Sequence, residues 1–316
     1  PYQTTQHGSC RLTGRTRMIA SGDAISARVA RDRVDLRMGV VDVMVRSDLP
    51  DVLEDLASIY SDAACRRPAE PRRPVVRITV EARRPSLLAR REYAVSGDGH
   101  ELWTTRKTNE VLPYVEWGVN WRVIATRPEY LQIHAAALAR SGHGLIMAAE
   151  SGFGKTTLAA GLLARGWQYL SDEFALIDPD DLRIHPFPKA LCVKNGSFPV
   201  MERLGLPVWR RHYVKALKGE VGYVNPLAGG RAVAARACPA RLIVFPRYAE
   251  NTRPRLYPIS RAQAAFELAR HALNRNVHGA RAASILSDLA RGARCYALDS
   301  GPIRETCDEL ERLIGA

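Results

Sequence analysis

The stretch AAESGFGKTTLAAGLLARGWQYLSDEFALID, residues 148–178, decides the fold that the sequence predicts. An apolar strand (GLIMAA, 144–149) leads into a glycine loop, and a helix (TTLAAGLLARG) follows the loop and ends at Gly166. A second strand (WQYLSDEFALID, 167–178) comes next. The order strand, glycine loop, helix, strand is typical of a phosphate-binding loop, or P-loop, and it predicts an α/β fold with a mixed sheet.

The glycine loop has the residues that nucleotide binding needs. Its glycines allow the backbone to turn N–H groups toward a phosphate, and the following helix adds its N-terminal dipole. Lys155 is expected to reach the β- and γ-phosphates of ATP, and the hydroxyl of Thr156 is expected to bind Mg²⁺. Ala149 replaces the first glycine of the strict motif, a mild departure because alanine is restricted mainly at positive φ. The predicted nucleotide-binding residues are Ser151, Gly152, Phe153, Gly154, Lys155, Thr156 and Thr157.

Two adjacent acids, Asp172 and Glu173, follow at the end of the next strand. A carboxylate at this place can hold Mg²⁺, and a pair allows one to bind metal while the other acts as a general base. Neighbouring side chains of a regular strand face opposite ways, so both acids reach the site only if the strand ends or bulges here. We predict that Asp172 takes the proton of an attacking hydroxyl and that Glu173 supports the metal, with an exchange of these roles left open.

Three cations are candidates for a phosphate or substrate clamp. Lys189 and Lys194 lie in the proline-broken segment HPFPKALCVKNGSFPV (185–200), where they either bind an anion or are solvated loop lysines. Arg247 is the weaker candidate, because arginine is so frequent in this chain that a solvated position explains it better. A further segment, WRRHYVKALKGEVGYVNP (209–226), is expected to be mobile and to be able to cover the site.

The charge and composition of the chain argue against a nucleic-acid-binding protein and a membrane protein. The formal net charge is +13, and only six of the 46 Lys and Arg residues are lysines. The arginines are dispersed and lack interleaved aromatic residues, so we expect no nucleic-acid partner. No apolar run is long enough to span a membrane, and the scattered cysteines form no zinc or disulfide pattern. We therefore expect a cytoplasmic protein without a membrane partner.

Three regions are predicted along the chain. Residues 1–18 are polar and expected to be disordered, and residues 19–125 are expected to form a smaller α+β domain. In that domain VDLRMGVVDVMV predicts strands and LPDVLEDLASIY predicts a helix. Residues 126–316 are expected to form the P-loop kinase domain, and EVLPYVEWGVNWRVIATR predicts a helix that packs between the two domains.

The residues around the loop resemble the catalytic domain of the HPr serine kinase/phosphorylase family, which shares a P-loop fold with ATP-dependent phosphoenolpyruvate carboxykinases. The resemblance rests on the Ile133–His134 pair, on SGFGKT and on RGWQYLSDE. In the family a histidine precedes the loop and an acid pair follows it at this spacing, with aspartate where Glu173 stands. EWGVNW, IHAAALAR, LLARGW, LSDEFALID and PFPKALCVKNGS more narrowly resemble the HPr-kinase-related proteins of the A subgroup.

The resemblance implies a kinase that uses ATP and Mg²⁺ and phosphorylates a serine-type hydroxyl of a protein or peptide. Relatives in peptide gene clusters are thought to phosphorylate a serine of a precursor peptide, and true HPr kinases are homo-oligomers. It also implies a role for His134 at the γ-phosphate or the acceptor, whereas the residues alone favour a core histidine. No E-I-R-G-L-G segment is present, so HPr itself is not the expected substrate.

Two other functions fit parts of the sequence. A nucleotide-binding switch or scaffold would bind ATP or GTP and hydrolyse it slowly or not at all. A basic ATPase associated with nucleic acid would show hydrolysis that nucleic acid stimulates and that depends steeply on salt.

Overall fold

The computed structural model describes residues 17–19, 25–60, 74–86, 89–216, 218–250 and 252–315. Its helices are α1 Pro50–Ile59, α2 Thr108–Thr126, α3 Lys155–Ala164, α4 Phe198–Arg203, α5 Arg261–His271, α6 Arg275–His278, α7 Ala280–Arg291 and α8 Ile303–Gly315. Its strands are β1 Arg17–Ile19, β2 Ile25–Val29, β3 Arg33–Met38, β4 Val41–Ser47, β5 Val75–Arg83, β6 Glu92–Gly97, β7 His100–Thr105, β8 Leu131–Ile133, β9 Ala135–Arg140, β10 His143–Ala148, β11 Gln168–Ser171, β12 Ala175–Ile177, β13 Arg183–His185, β14 Leu191–Lys194, β15 Val208–Lys215, β16 Gly219–Val224, β17 Cys238–Tyr248, β18 Arg255–Pro258 and β19 Arg294–Ser300. None of the helices in these ranges combines the length and apolar character needed to cross a bilayer.

The first sheet contains β1 to β7 in chain order. Its neighbours run antiparallel except for β4 and β5, which are parallel. Buried and partly buried residues alternate along β3 and β4, as expected of strands with one face on a core. Helix α1 buries Val52, Leu53, Leu56 and Ile59 on this sheet, and α2 lies against β5, β6 and β7. The strands and helix that the sequence predicts here are present.

The central sheet is mixed and carries helices on both faces. Its strand order is β11-β9-β10-β17-β13-β12-β8, with β19 beside β17 and β18 beside β19. The pairs β10–β17 and β17–β19 are parallel, so the carboxyl end of β10 shares an edge with that of β17. Apolar residues of α3 and α8 cover one face, and those of α5 and α7 cover the other. A small third sheet, β14-β16-β15, packs beside α3. The protein is therefore of the mixed α/β class.

The segment that the sequence predicts as a strand over 167–178 is broken in the middle, and so is the segment 131–140. The segment 131–140 divides into β8 and β9 at His134, and the segment 168–177 divides into β11 and β12 at residues 172–174. The halves pair separately, β9 with β11 and β8 with β12. Because the partner strands break at the same level, their breaks lie next to each other, and this is where the acid pair meets His134.

The predicted disorder of residues 1–16 falls outside the described residues, and Arg17 and Met18 belong to β1. The division into 19–125 and 126–316 stays a prediction. The hydrophobic core under the first sheet continues onto Phe174, Phe187 and Tyr223, so the two regions share buried surface. The predicted helix between them is present as α2, which contacts β15 on one side and the first sheet on the other.

Candidate functional site

One cavity collects most of the predicted site residues. It lies where the glycine loop, the two strand breaks and the third sheet meet. Its lining residues are His134, Ser151, Gly152, Gly154, Lys155, Thr156, Thr157, Asp172, Glu173, Cys192, Val193, Lys194, Ser197 and Lys218.

The loop between β10 and α3 has the backbone that its glycines allow. Gly152 and Gly154 have φ values of 99° and 85°, and Gly154 is the N-cap of α3. A Cβ on Gly152 would meet nothing within 4 Å, so glycine is required there for its backbone and not for space. Ala149, where the strict motif has glycine, is not among the residues with positive φ. The departure from the motif therefore causes no backbone strain.

Lys155 lies at the first turn of α3 and is almost fully buried, with 7% of its surface exposed. Its Nζ donates hydrogen bonds to the backbone oxygens of Ala149 and Glu150, the latter at 3.1 Å. Burial lowers the pKa of Lys155, and the nearby Asp172 carboxylate acts in the opposite direction. The side chain of Glu150 points out of the loop toward Arg270, at 3.6 Å between Oε1 and Nη2. The loop therefore presents a cation and not a carboxylate to the cavity.

The donor set beside Lys155 fits Mg²⁺. Asp172 is buried, and the nearby Thr156 hydroxyl acts to lower the pKa of its carboxyl group. Its Oδ1 atom is buried without a hydrogen-bond partner in the described part of the chain. A buried acceptor oxygen without a donor is costly, and a bound cation would satisfy it. Hydroxyl and carboxylate oxygens are also the ligands that Mg²⁺ prefers, so Thr156, Asp172 and Glu173 could hold this ion.

The two acids have different electrostatic surroundings. Burial, together with the charge of Glu173, raises the pKa of Asp172 to about 7. Burial also acts to raise the pKa of Glu173, but the ammonium groups of Lys215, Lys189 and Lys218 outweigh it and hold that pKa below its usual value. Both carboxylates line the cavity because β11 ends at Ser171, so the two acids do not lie in a regular strand that would turn them to opposite faces. Glu173 is thus a fixed negative charge, and Asp172 can take up a proton.

His134 occupies the gap between β8 and β9. Its backbone N–H donates to the oxygen of His271 at 2.8 Å, and its ring Nδ1 lies 3.1 Å from the backbone oxygen of Glu173. A carbonyl oxygen can only accept, so Nδ1 carries the proton and Nε2 keeps a lone pair. Burial lowers the pKa of His134, and the charge of Lys155 adds to this shift. The ring is therefore neutral at neutral pH and can accept a hydrogen bond through Nε2.

Three predicted site residues do not line the cavity. Phe153 is 36% exposed at the loop tip. Arg247 is exposed near the end of β17 without a hydrogen bond or ion pair among the described residues, and its clamp role stays a prediction. Lys189, the third, lies outside the cavity, and its ammonium is bonded within the protein. Its Nζ donates to Glu116 Oε2 at 2.9 Å, to Glu116 O at 2.7 Å and to Asn120 Oδ1 at 2.7 Å. All three of its N–H groups are thus used inside the protein.

Four lining residues were not among the predicted site residues: Cys192, Val193, Ser197 and Lys218. Cys192 and Val193 reach the cavity from β14, and Ser197 Oγ lies 3.2 Å from Thr157 Oγ1. Lys218 comes from the turn between β15 and β16. The third sheet brings these residues to the loop, and local sequence patterns carry no signal for that packing. The scarcity of lysine is the signal that could have identified Lys218.

Comparisons with known proteins add two likenesses. A family model described as "SynChlorMet cassette protein ScmC" matches residues 108–199, which span α2, the glycine loop and the acid pair. Among solved structures, the Hpr(Ser) kinase/phosphatase from Coxiella burnetii is similar at 12% identity and a TM-score of 0.27, over 58% of this chain and 97% of that chain. A TM-score this low carries no argument about fold or function. No curated protein matches the sequence significantly. Neither likeness assigns an activity to this chain.

Proposed function

We propose that the protein is an ATP-dependent kinase that transfers the γ-phosphoryl group to a serine-type hydroxyl of a protein or peptide. One observation carries the proposal: the glycine loop with Lys155 and the acid pair line the same cavity. A loop that binds phosphate would place a nucleotide there, and a carboxylate with a free oxygen would face the incoming hydroxyl. The partner class, homo-oligomeric assembly and cytoplasmic location stay predictions.

The residues divide the chemistry as follows. Lys155 and the backbone N–H groups of residues 151–157 bind the phosphates, and Thr156 with one acid of the pair would hold Mg²⁺, which would neutralise developing charge. The acceptor hydroxyl attacks the γ-phosphorus, and the bond to the β,γ-bridging oxygen breaks. Asp172 takes the hydroxyl proton, and Glu173 supports the metal. His134 orients the acceptor through Nε2. Catalysis then depends mainly on positioning and electrostatics.

The first test is a transfer assay with γ-³²P-ATP and Mg²⁺. The candidate acceptors are small proteins and peptides encoded beside this chain, and free serine serves as the simplest hydroxyl. We expect acid-stable, base-labile label on an acceptor, absent with Lys155→Ala. Asp172→Asn should lower transfer by about 10²–10⁴-fold, the usual contribution of a general base, and leave ATP affinity nearly unchanged.

Three results would contradict the proposal or one of its residue roles. Normal turnover of Asp172→Asn would remove Asp172 from the role of base. Tight ATP binding with release of inorganic phosphate alone, or with no turnover, would favour the nucleotide-dependent switch or scaffold. Stimulation of hydrolysis by nucleic acid would favour the third function.

A further inference from the structure

The six lysines of this chain are unevenly distributed in the structure. Arginine supplies the other 40 of the 46 Lys and Arg residues, so arginine is the default cation here. Lys155, Lys194 and Lys218 line the candidate cavity, and Lys189 and Lys215 act on the charge of Glu173 from behind it. The remaining lysine, Lys107, pairs with Glu110 at the surface. A lysine differs from arginine in offering a compact charge, which suits a phosphate in a confined site.

Lys218 is partly buried and lines the cavity, and among the described residues its ammonium forms no hydrogen bond or ion pair. Its backbone N–H donates to the Lys215 oxygen at 3.0 Å. The Lys189 ammonium, by contrast, has three acceptors, and that of Lys155 has two backbone carbonyls. An ammonium that lines a cavity without a hydrogen bond of its own is suited to bind an anion there.

Electrostatics places Lys218 close to the groups around the phosphate loop. Burial lowers the pKa of Lys155, and the charge of Lys218 adds to that shift. The same charge acts on His134, Asp172 and Glu173. Two ammonium groups that repel each other across one cavity destabilise the empty site, and an anion bound between them removes that repulsion.

The hairpin that carries Lys218 is anchored at its other end. Arg211 Nε lies 3.0 Å from the buried carboxylate of Asp55 on α1, and Asn109 Nδ2 donates to the His212 oxygen at 3.0 Å. Lys215 lies over the Trp117 ring, 5.9 Å from its centroid. These contacts fix β15 against α1 and α2. Lys218 is thereby held at the cavity by contacts that lie away from it.

We propose that Lys218 is a phosphate-binding residue that contacts the phosphoryl group while it is transferred. This inference rests on the proposed function, because it requires ATP in the cavity. The residue would stabilise the charge that develops on the phosphoryl oxygens, as an arginine finger does in other phosphotransferases. Lys218 would contribute little to the binding of ADP, because ADP lacks the transferred phosphoryl group.

Nucleotide binding tests the proposal without any acceptor. Titration calorimetry would measure the affinities of the full chain for Mg–ADP and for Mg–ADP with fluoroaluminate, which mimics the phosphoryl group in transfer. Lys218→Gln should weaken the fluoroaluminate complex by about 10–100-fold, the value of one charge-assisted hydrogen bond. The ADP affinity should change by less than about three-fold, the size of a screened charge effect. Lys218→Arg keeps the charge and should recover most of the lost affinity.

A matched control lies on the same hairpin. The His212 side chain is 93% exposed and pairs only with Glu220, and asparagine tolerates its φ of 53°. His212→Asn should leave both affinities unchanged. If Lys218→Gln weakened both affinities equally, or weakened neither, the inference would be overturned. Nucleotide binding by the wild type would still support a nucleotide site in that case. Absence of nucleotide binding by the wild type would overturn the proposed function and this inference with it.

Discussion

Lys155 and Lys189 are both almost fully buried lysines, yet their partners give them different roles. Lys155 is held by two backbone carbonyls and forms no ion pair with any residue that the structure describes, so its charge is available to a ligand in the cavity. Lys189 is neutralised by Glu116 and hydrogen-bonded by Asn120. Glu116 in turn accepts a hydrogen bond from Tyr60 at 3.3 Å. Lys189 therefore supports the structure between α2 and the site.

Lys189→Met should destabilise the protein by about 3–5 kcal/mol, because it leaves the buried Glu116 carboxylate without its counter-ion. The free energy of unfolding in urea at pH 7 would measure this loss. The control is Lys107→Met, which breaks the ion pair to Glu110 in which Lys107 is 70% exposed. That change should cost less than about 1 kcal/mol. Equal effects of the two changes would contradict the structural role of Lys189.

At the scale of elements, one carboxylate joins α8 to the central sheet and the end of α3. Glu311 Oε1 accepts hydrogen bonds from Arg140 and from Trp167 Nε1, and Oε2 accepts from Arg165 at 2.9 Å. Burial acts to raise the pKa of Glu311, but hydrogen bonds from Trp167, Arg165 and Arg140 outweigh it and hold the pKa below its usual value. The carboxylate is three-quarters buried, with 25% of its side chain exposed. Its ionised form thus stabilises the docking of α8.

Glu311→Gln should lower stability by about 1–3 kcal/mol at pH 7, the range for hydrogen bonds to a charged group. A depressed pKa in the folded state stabilises above the unfolded pKa, and this contribution is lost as the pH falls through the folded pKa. The difference from wild type should therefore be full at pH 6–7 and shrink below the usual value of 4.5. Urea unfolding at several pH values would measure it. A difference that does not depend on pH would show that packing, and not charge, holds α8.

At the scale of the whole molecule, a turn of the first sheet touches the loop that leads to the cavity. Val40 N donates to the Pro186 oxygen at 3.3 Å, and Arg127 donates to the Val40 oxygen. Gly39, with φ of 57°, lies so close that an added Cβ would be 1.8 Å from the Pro186 oxygen. The shared hydrophobic core extends from this contact. The first sheet and the site region are thus packed through backbone as well as side chains.

Gly39→Ala should destabilise the protein by about 3 kcal/mol, because a backbone clash adds to the strain of positive φ. Gly99→Ala is the matched control, since Gly99 has φ of 85° and nothing within 4 Å of an added Cβ. Gly99→Ala should lower the free energy of unfolding only by the backbone strain of positive φ, about 1–2 kcal/mol. Thermal unfolding of both variants would compare them. Equal losses would show that the contact with Pro186 contributes no stability.

The sequence by itself determined the elements whose causes are local. The period of two in β3 and β4, the glycines at positive φ before α3 and the apolar strand β10 all depend on neighbours in the chain, so their patterns predicted them. The glycine-loop residues and the acid pair at the end of a strand were also predicted from local pattern. Together they form most of the lining of the cavity.

Only the tertiary structure decided what depends on distant partners. The breaks at His134 and at residues 172–174 arise because each half of a strand pairs with a different neighbour. The Lys189 ammonium is neutralised because Glu116, 73 residues earlier, lies against it, and Lys218 reaches the cavity because the third sheet packs beside α3. The sequence shows where each lysine stands in the chain. Whether that charge is neutralised or left for a ligand depends on which groups folding brings within a few ångströms of it.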